Sequence, residues 1–255
     1  VEDIDMPESR CETAVEAVDG VTVVRFDHPP VNALDLELLD DVVATMRRIE
    51  GPVVITGAGK CFSAGVDLPA IIRGGTDYTD RFITALSAAF LAVFDHPAPV
   101  VAAINGHAIA GGCVFAMCAD VRLMSAGTIG LTELAVGVPF PVAALEICRY
   151  AMGSSVTRAA LEGDTIDVDA ASARGWVDVV VGQGELVPQA VATARRLGEH
   201  SATAYAATKE QLHRPAHAAI AAAADLDAKT RASWLAEDTR GRITAFINAL
   251  GRDRR

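Results

Sequence analysis

With 255 residues, 51% hydrophobic and only 5% aromatic, the chain can bury a sizeable core and reads as a globular α/β protein. A net charge of -11 argues against a nucleic-acid partner and against an anionic membrane surface, and any polyanionic ligand would need a local basic patch. Five cysteines (Cys11, Cys61, Cys113, Cys118, Cys148), odd in number and without a CxxC pair, fit reduced thiols in a cytoplasmic protein better than a disulfide framework.

Residues 1–10 are expected to be loose, and VEDIDMPESRCE, acidic and without an apolar run, does not read as a signal peptide. Glu12–Ala17 and Val21–Asp27, joined by Asp19-Gly20, read as a hairpin. After Pro29-Pro30, Asp35 caps a helix to about Arg48, with Leu38, Leu39, Val42, Val43 and Met46 inward. Val53–Thr56 is a buried strand, followed by a glycine-containing loop, a mobile-looking segment from Ile71 to Tyr78, and a helix from about Thr79 to Phe94. Val100–Ile104, bounded by Pro99 and Asn105-Gly106, reads as a strand ending in a turn. Gly111-Gly112 then opens the apolar helix Cys113–Ala119. Asn105, His107 and three glycines exclude a membrane span here. A second short strand follows Asp120, then helices at Pro141–Met152, Ser154–Glu162 and Val168–Arg174, and a strand at Trp176–Val181. This alternation suggests repeated ββα units over residues 11–185. Residues 186–255, Ala-rich and without strand signals, read as a C-terminal helical subdomain.

Two stretches carry chemistry. A glycine pair opening a helix leaves backbone N–H groups free to face a ligand. Glu133 is the only carboxylate between Asp120 and Glu146 and lies among apolar residues, which suggests an oxyanion-stabilising site with one base. In VVITGAGKCFSAG, Gly57 and Gly59 imitate a dinucleotide fingerprint. Phe62 occupies the third glycine position, and Cys61 follows Lys60 where a phosphate loop needs Ser or Thr. Nucleotide binding is not expected.

FSAGVDL at Phe62–Leu68, INGHAIAGG and CVFAMCADVRLMSAG resemble, in order and spacing, the crotonase (enoyl-CoA hydratase/isomerase) superfamily. The resemblance implies a crotonase-like spiral of ββα units, an acyl-CoA substrate, and a homotrimer or dimer of trimers in which the C-terminal helices assist assembly and complete the acyl pocket. It implies no cofactor, since the coenzyme A moiety enters with the substrate. It also implies oxyanion donors at the N–H groups of Val66 and Gly111, and Ser63, Ala64, Gly65, Asp67 and Leu68 along the adenine and pantetheine side. Lys209, in AYAATKEQL, resembles a family helix residue that approaches the CoA phosphates, with Arg25 a weaker candidate.

The family pairs two acid/base carboxylates. Glu133 stands at the second position, but Val114 replaces the first, and IGLTELAVGVPFP resembles the Δ3,Δ2-enoyl-CoA isomerase form. Hydration benefits from two acids, whereas moving a double bond needs one base. The expected activity is conversion of 3-enoyl-CoA to 2-enoyl-CoA in fatty acid metabolism. The alternatives are a hydratase (lyase) with a second acid elsewhere, for which Glu146 is a candidate, or a non-catalytic acyl-CoA-binding member. His107 is expected to support the loop, and Asp120 to hold a helix-strand junction. His213 and His217, separated by Pro215, lack a completing acid, so no metal is expected. Cys113 and Cys118 read as core residues, and Ser63 and His107 form no identifiable peptidase triad.

Overall fold

The structure, a computed structural model, describes residues 12–252. The expected loose N-terminus and Cys11 lie outside the described residues. Strands β1 (Glu12–Val18) and β2 (Val21–Asp27) form the hairpin, which turns through positive φ at Asp19 and Gly20. Helix α1 (Leu36–Met46) follows, its N-terminus capped by the Asp35 carboxylate, which accepts the Leu38 N–H at 2.9 Å. The same pattern of two strands and a helix then recurs. It gives β3 (Val53–Gly57), β4 (Cys61–Ser63) and α2 (Leu68–Phe94), then β5 (Val100–Ile104), β6 (His107–Ile109) and α3 (Gly111–Met117). A fourth unit contains β7 (Val121–Met124), β8 (Thr128–Gly130) and the one-turn α4 (Glu133–Val136).

From the second unit onward, each repeat gives its first strand to a six-stranded sheet and its second to a four-stranded sheet. The large sheet has the order β1-β2-β3-β5-β7-β10, with β10 at Val179–Val180. The small sheet runs β4-β6-β8-β9, with β9 (Thr165–Asp167) antiparallel to β8. The period of two in the long strands divides two cores. Val53, Ile55, Val100 and Ala102 face the main core, whereas Val54, Val101 and Ala103 face a second one. The second core is closed by α8 (Leu186–Gly198), which packs on β2, β3 and β5 through Ala190, Val191 and Ala194. The helical C-terminal region therefore starts as a layer of the core.

The remaining helices are α5 (Val142–Met152), α6 (Val156–Glu162), α7 (Val168–Ala173), α9 (Ala202–Ala222), α10 (Ala224–Leu235) and α11 (Glu237–Arg252). Two expectations change. The segment Ile71–Tyr78 is helical, broken only at Gly75 (φ 73°, ψ -164°), because Asp67 caps its start and Ile71 is fully buried. The strand expected over Trp176–Val181 shrinks to two residues. Trp176 and Val177 pack into the main core, and Asp178 turns its carboxylate to Arg122.

Candidate active site

The residues of the FSAGVDL stretch build one wall. Leu34 and Val66 form an isolated parallel bridge in which Leu34 N–H donates to Gly65 O at 2.8 Å and Asp67 N–H donates to Leu34 O at 2.9 Å. Backbone groups alternate in direction along an extended strand, so the Val66 N–H points away from this bridge. It has no acceptor among the described residues. Gly65 (φ 81°) lets this segment touch the start of α3: a Cβ there would stand 2.8 Å from Ile109 O and 3.3 Å from the Gly111 nitrogen. Ala110 takes φ 50°, a left-handed value that costs about 1–3 kcal/mol and orients the first amide of α3. That amide, on Gly111, has no intrahelical partner. The Val66 segment and the first amide of α3 thus lie next to each other through Gly65.

Glu133 comes from the opposite side, carried by α4. Gly137, in the left-handed conformation, ends this helix after one turn, and the Glu133 carbonyl accepts the Gly137 and Val138 N–H groups, both at 3.0 Å. The Glu133 residue is 8% exposed, and its Oε2 is buried without a hydrogen-bond partner among the described residues. Burial pushes its pKa up from 4.5 to about 8, opposed only by its own backbone N–H. A buried carboxyl with one oxygen left unpartnered in an apolar site is a group poised to exchange a proton.

Val66, Ala110 and Glu133 line a single cavity of about 620 Å³. Ala64, Asp67 and Leu68 line it as well. Other expected residues point elsewhere. Ser63 is fully buried, and its hydroxyl donates to Asn32 O at 2.7 Å, holding the loop and not a ligand. Lys209 must be corrected: it lies 6% exposed on α9, paired at 2.9 Å with Asp120, and faces a separate cavity with Arg122 and His213. Its carboxylate partner satisfies the charge that a phosphate was expected to meet. Glu146 pairs with Arg149 at 3.1 Å and does not line the cavity. Arg25 pairs with Glu16 on the hairpin. Val114 is fully buried in the main core. His107, exposed at the start of β6, bonds the Thr128 hydroxyl through Nδ1 at 3.0 Å. Among the described residues no cluster of three or more His, Cys, Asp or Glu is arranged to hold a metal ion, and no helix is long and apolar enough to cross a membrane.

The structure adds residues that motif reading missed. His28 lines the cavity at the Pro29-Pro30 turn, with Nδ1 donating to Ala33 O at 2.8 Å, so Nε2 is the ring nitrogen left over. Val136, Val138, Trp234, Phe246, Ile247 and Leu250 form an apolar wall. In α10 the only sequence signal was Trp234, a lone large aromatic in ADLDAKTRASWL.

A family model described as enoyl-CoA hydratase/isomerase matches residues 16–250. The chain belongs to the enoyl-CoA hydratase/isomerase family. A probable enoyl-CoA hydratase of Mycolicibacterium paratuberculosis is 31% identical to it over 246 residues, covering 92% of this chain and 90% of that protein. The mitochondrial enoyl-CoA delta isomerase 1 of Homo sapiens is 25% identical over 234 residues, 88% of this chain and 78% of that protein. The crystal structure of human mitochondrial delta3-delta2-enoyl-CoA isomerase superposes with a TM-score of 0.88 at 25% identity, covering 95% of this chain and 99% of that one. The enoyl-CoA hydratase/isomerase fold is thereby shared with proteins carrying both names, and the residues must decide between the reactions.

Proposed function

We propose that this family member moves the double bond of a 3-enoyl-CoA to the 2-position, with Glu133 as its single acid/base group. The Glu133 carboxylate removes a proton from C2, and the electron pair flows into the thioester carbonyl as a dienolate. The Val66 and Gly111 N–H groups hold the oxyanion. Glu133 then returns the proton at C4, the C2–C3 double bond forms and the thioester carbonyl is restored. Nothing is added or lost, and no cofactor is required. Each preorganised donor contributes about 3–4 kcal/mol at the transition state.

The observation that carries this reading is the buried Glu133 carboxyl, its Oε2 without a partner, in a cavity that among the described residues offers no second such acid. Asp67 is the other carboxylate lining the cavity, and its Oδ1 already accepts the Ala70 N–H at 2.8 Å as the cap of α2. Hydration would need a second group to hold and orient water. The names of several relatives include hydratase, but apolar Val114 supports the isomerase. Replacing Glu133 by Gln tests the assignment. Conversion of a 3-enoyl-CoA is expected to fall by about 10³-fold or more, while calorimetric affinity for a saturated acyl-CoA stays within a few-fold. Full activity in the variant would refute it.

A further inference from the structure

We infer that Ser63 and Asn32 are positioning residues for the Val66 oxyanion donor, the Ser63 hydroxyl setting the direction of that N–H by clamping the peptide that precedes Gly65. The inference deepens the acyl-thioester reading above and rests on it. Gly65 admits no side chain, since a Cβ there would stand 2.8 Å from Ile109 O, yet a glycine leaves both of its backbone torsions loose. The Val66 N–H shares a planar trans peptide with the Gly65 carbonyl, so the two point in opposite directions and turn together. A donor carried beside a glycine aims at one spot only when the peptides around it are held.

Every peptide from Ser63 to Asp67 has such a hold. Ala64 N–H donates to Val31 O at 3.0 Å, Leu34 N–H to Gly65 O at 2.8 Å, and Asp67 N–H to Leu34 O at 2.9 Å. These contacts are backbone to backbone, and the remaining one runs through a side chain. Gly65 N–H donates to Ser63 Oγ at 3.2 Å, and that hydroxyl gives its single proton to Asn32 O at 2.7 Å. It thereby fixes φ of Gly65 at 81°, the torsion between the clamped peptide and the one that carries the Val66 N–H. Asn32 anchors the other end. Its φ of 53° is a left-handed value that asparagine tolerates, its Nδ2 donates to Cys61 O at 2.7 Å and Ala58 O at 3.0 Å, and its Oδ1 accepts the His28 N–H at 3.1 Å. Ser63 and Asn32 are both buried and neither lines the cavity, so they act on a ligand only through the Val66 segment.

The test uses the full chain with hexanoyl-CoA, whose thioester carbonyl is followed by infrared difference spectroscopy, beside turnover of 3-hexenoyl-CoA. In the unmodified protein the bound carbonyl band is expected at lower wavenumber than in free hexanoyl-CoA, because the donors polarise it. Ser63→Ala should return the band towards its free position and lower kcat about 10- to 100-fold, with KM and calorimetric affinity for hexanoyl-CoA within about threefold. Asn32→Gly, which keeps the left-handed backbone accessible, should do the same, and the double variant should add little to the stronger single one because the two act in series. Thr56→Val removes another fully buried hydroxyl, one that donates to Ala103 O at 2.8 Å between β3 and β5, and should lower stability without moving the band or kcat. A Ser63→Ala protein that behaves like Thr56→Val, or whose KM rises at unchanged kcat, would overturn the inference. A band moved by Ser63→Ala in a chain that does not turn over 3-hexenoyl-CoA would uphold it and remove the isomerase reading, and failure to bind hexanoyl-CoA would remove both.

Discussion

A carboxyl group whose pKa is raised to about 8 is mostly protonated at neutral pH, yet the chemistry assigned to Glu133 needs the carboxylate. The expected consequence is a kcat/KM that rises about tenfold per pH unit below 8 and levels above it, because kcat/KM reports the free enzyme. A profile flat from pH 6 to 9 would exclude Glu133 as the base. Stability moves in the opposite direction. Between about 4.5 and 8 the folded state keeps a proton that the unfolded chain releases, so stability falls as pH rises through that window. Glu133→Gln removes this loss. Relative to the unmodified protein, it should gain unfolding free energy between pH 5 and pH 9, by an amount on the order of 4 kcal/mol, read as a melting-temperature difference that grows with pH. Glu133, Val66 and Gly111 could be proposed from the sequence because each belongs to a short motif with a chemical reason for its residues. His28 and Trp234 were not, because what makes them part of the site is a cavity assembled from segments about two hundred positions apart in sequence.

At the scale of elements, the site depends on backbones that touch. A Cβ on Gly112 would overlap the Ser63 carbonyl of β4, and that atom cannot move without shifting the Val66 segment. Gly112→Ala should therefore lower kcat far more than an alanine elsewhere in α3, with a melting temperature several degrees lower. The break in α2 offers a second case. At Gly75 the helix is interrupted, and Arg240 from α11 donates to the carbonyls of Ile71 and Ile72 in the turn before it. Arg240→Ala should speed amide exchange in both 68–78 and α11 while α1 is unaffected. The glycines in this region were visible in the sequence, but they suggested mobility, since nothing local reveals an arginine at position 240 that satisfies the broken turn. Similarly β4, β6 and β9 have three residues each, too few for alternation to be read. The long strands and capped helices had enough residues to show their period.

For the whole molecule, the four ββα units position the Val66 and Gly111 amides and Glu133, and helices α10 and α11 close the cavity that Val66 and Glu133 line. Lys209 and Asp120 lie outside that cavity and anchor another of the C-terminal helices. They form a largely buried pair joining α9 to the end of α3, with Tyr205 also donating to Asp120 at 3.1 Å. Lys209→Ala leaves the carboxylate unpaired and should cost about 3 kcal/mol in denaturant unfolding, with KM for an acyl-CoA essentially unchanged. A KM that rises without loss of stability would return Lys209 to the substrate. The spiral was readable from the order of elements, whereas the fate of a lysine depended on which helix face the tertiary packing turned inward.

The central claim is one base and no added water. The purified chain should be given a 3-enoyl-CoA and a 2-enoyl-CoA separately, and the products identified by mass and chromatography. The account predicts that the 3-enoyl thioester becomes the 2-enoyl isomer at unchanged mass, and that no hydrated product accumulates from either. Efficient hydration of the 2-enoyl-CoA would contradict it, since that would require a second working acid beside Glu133.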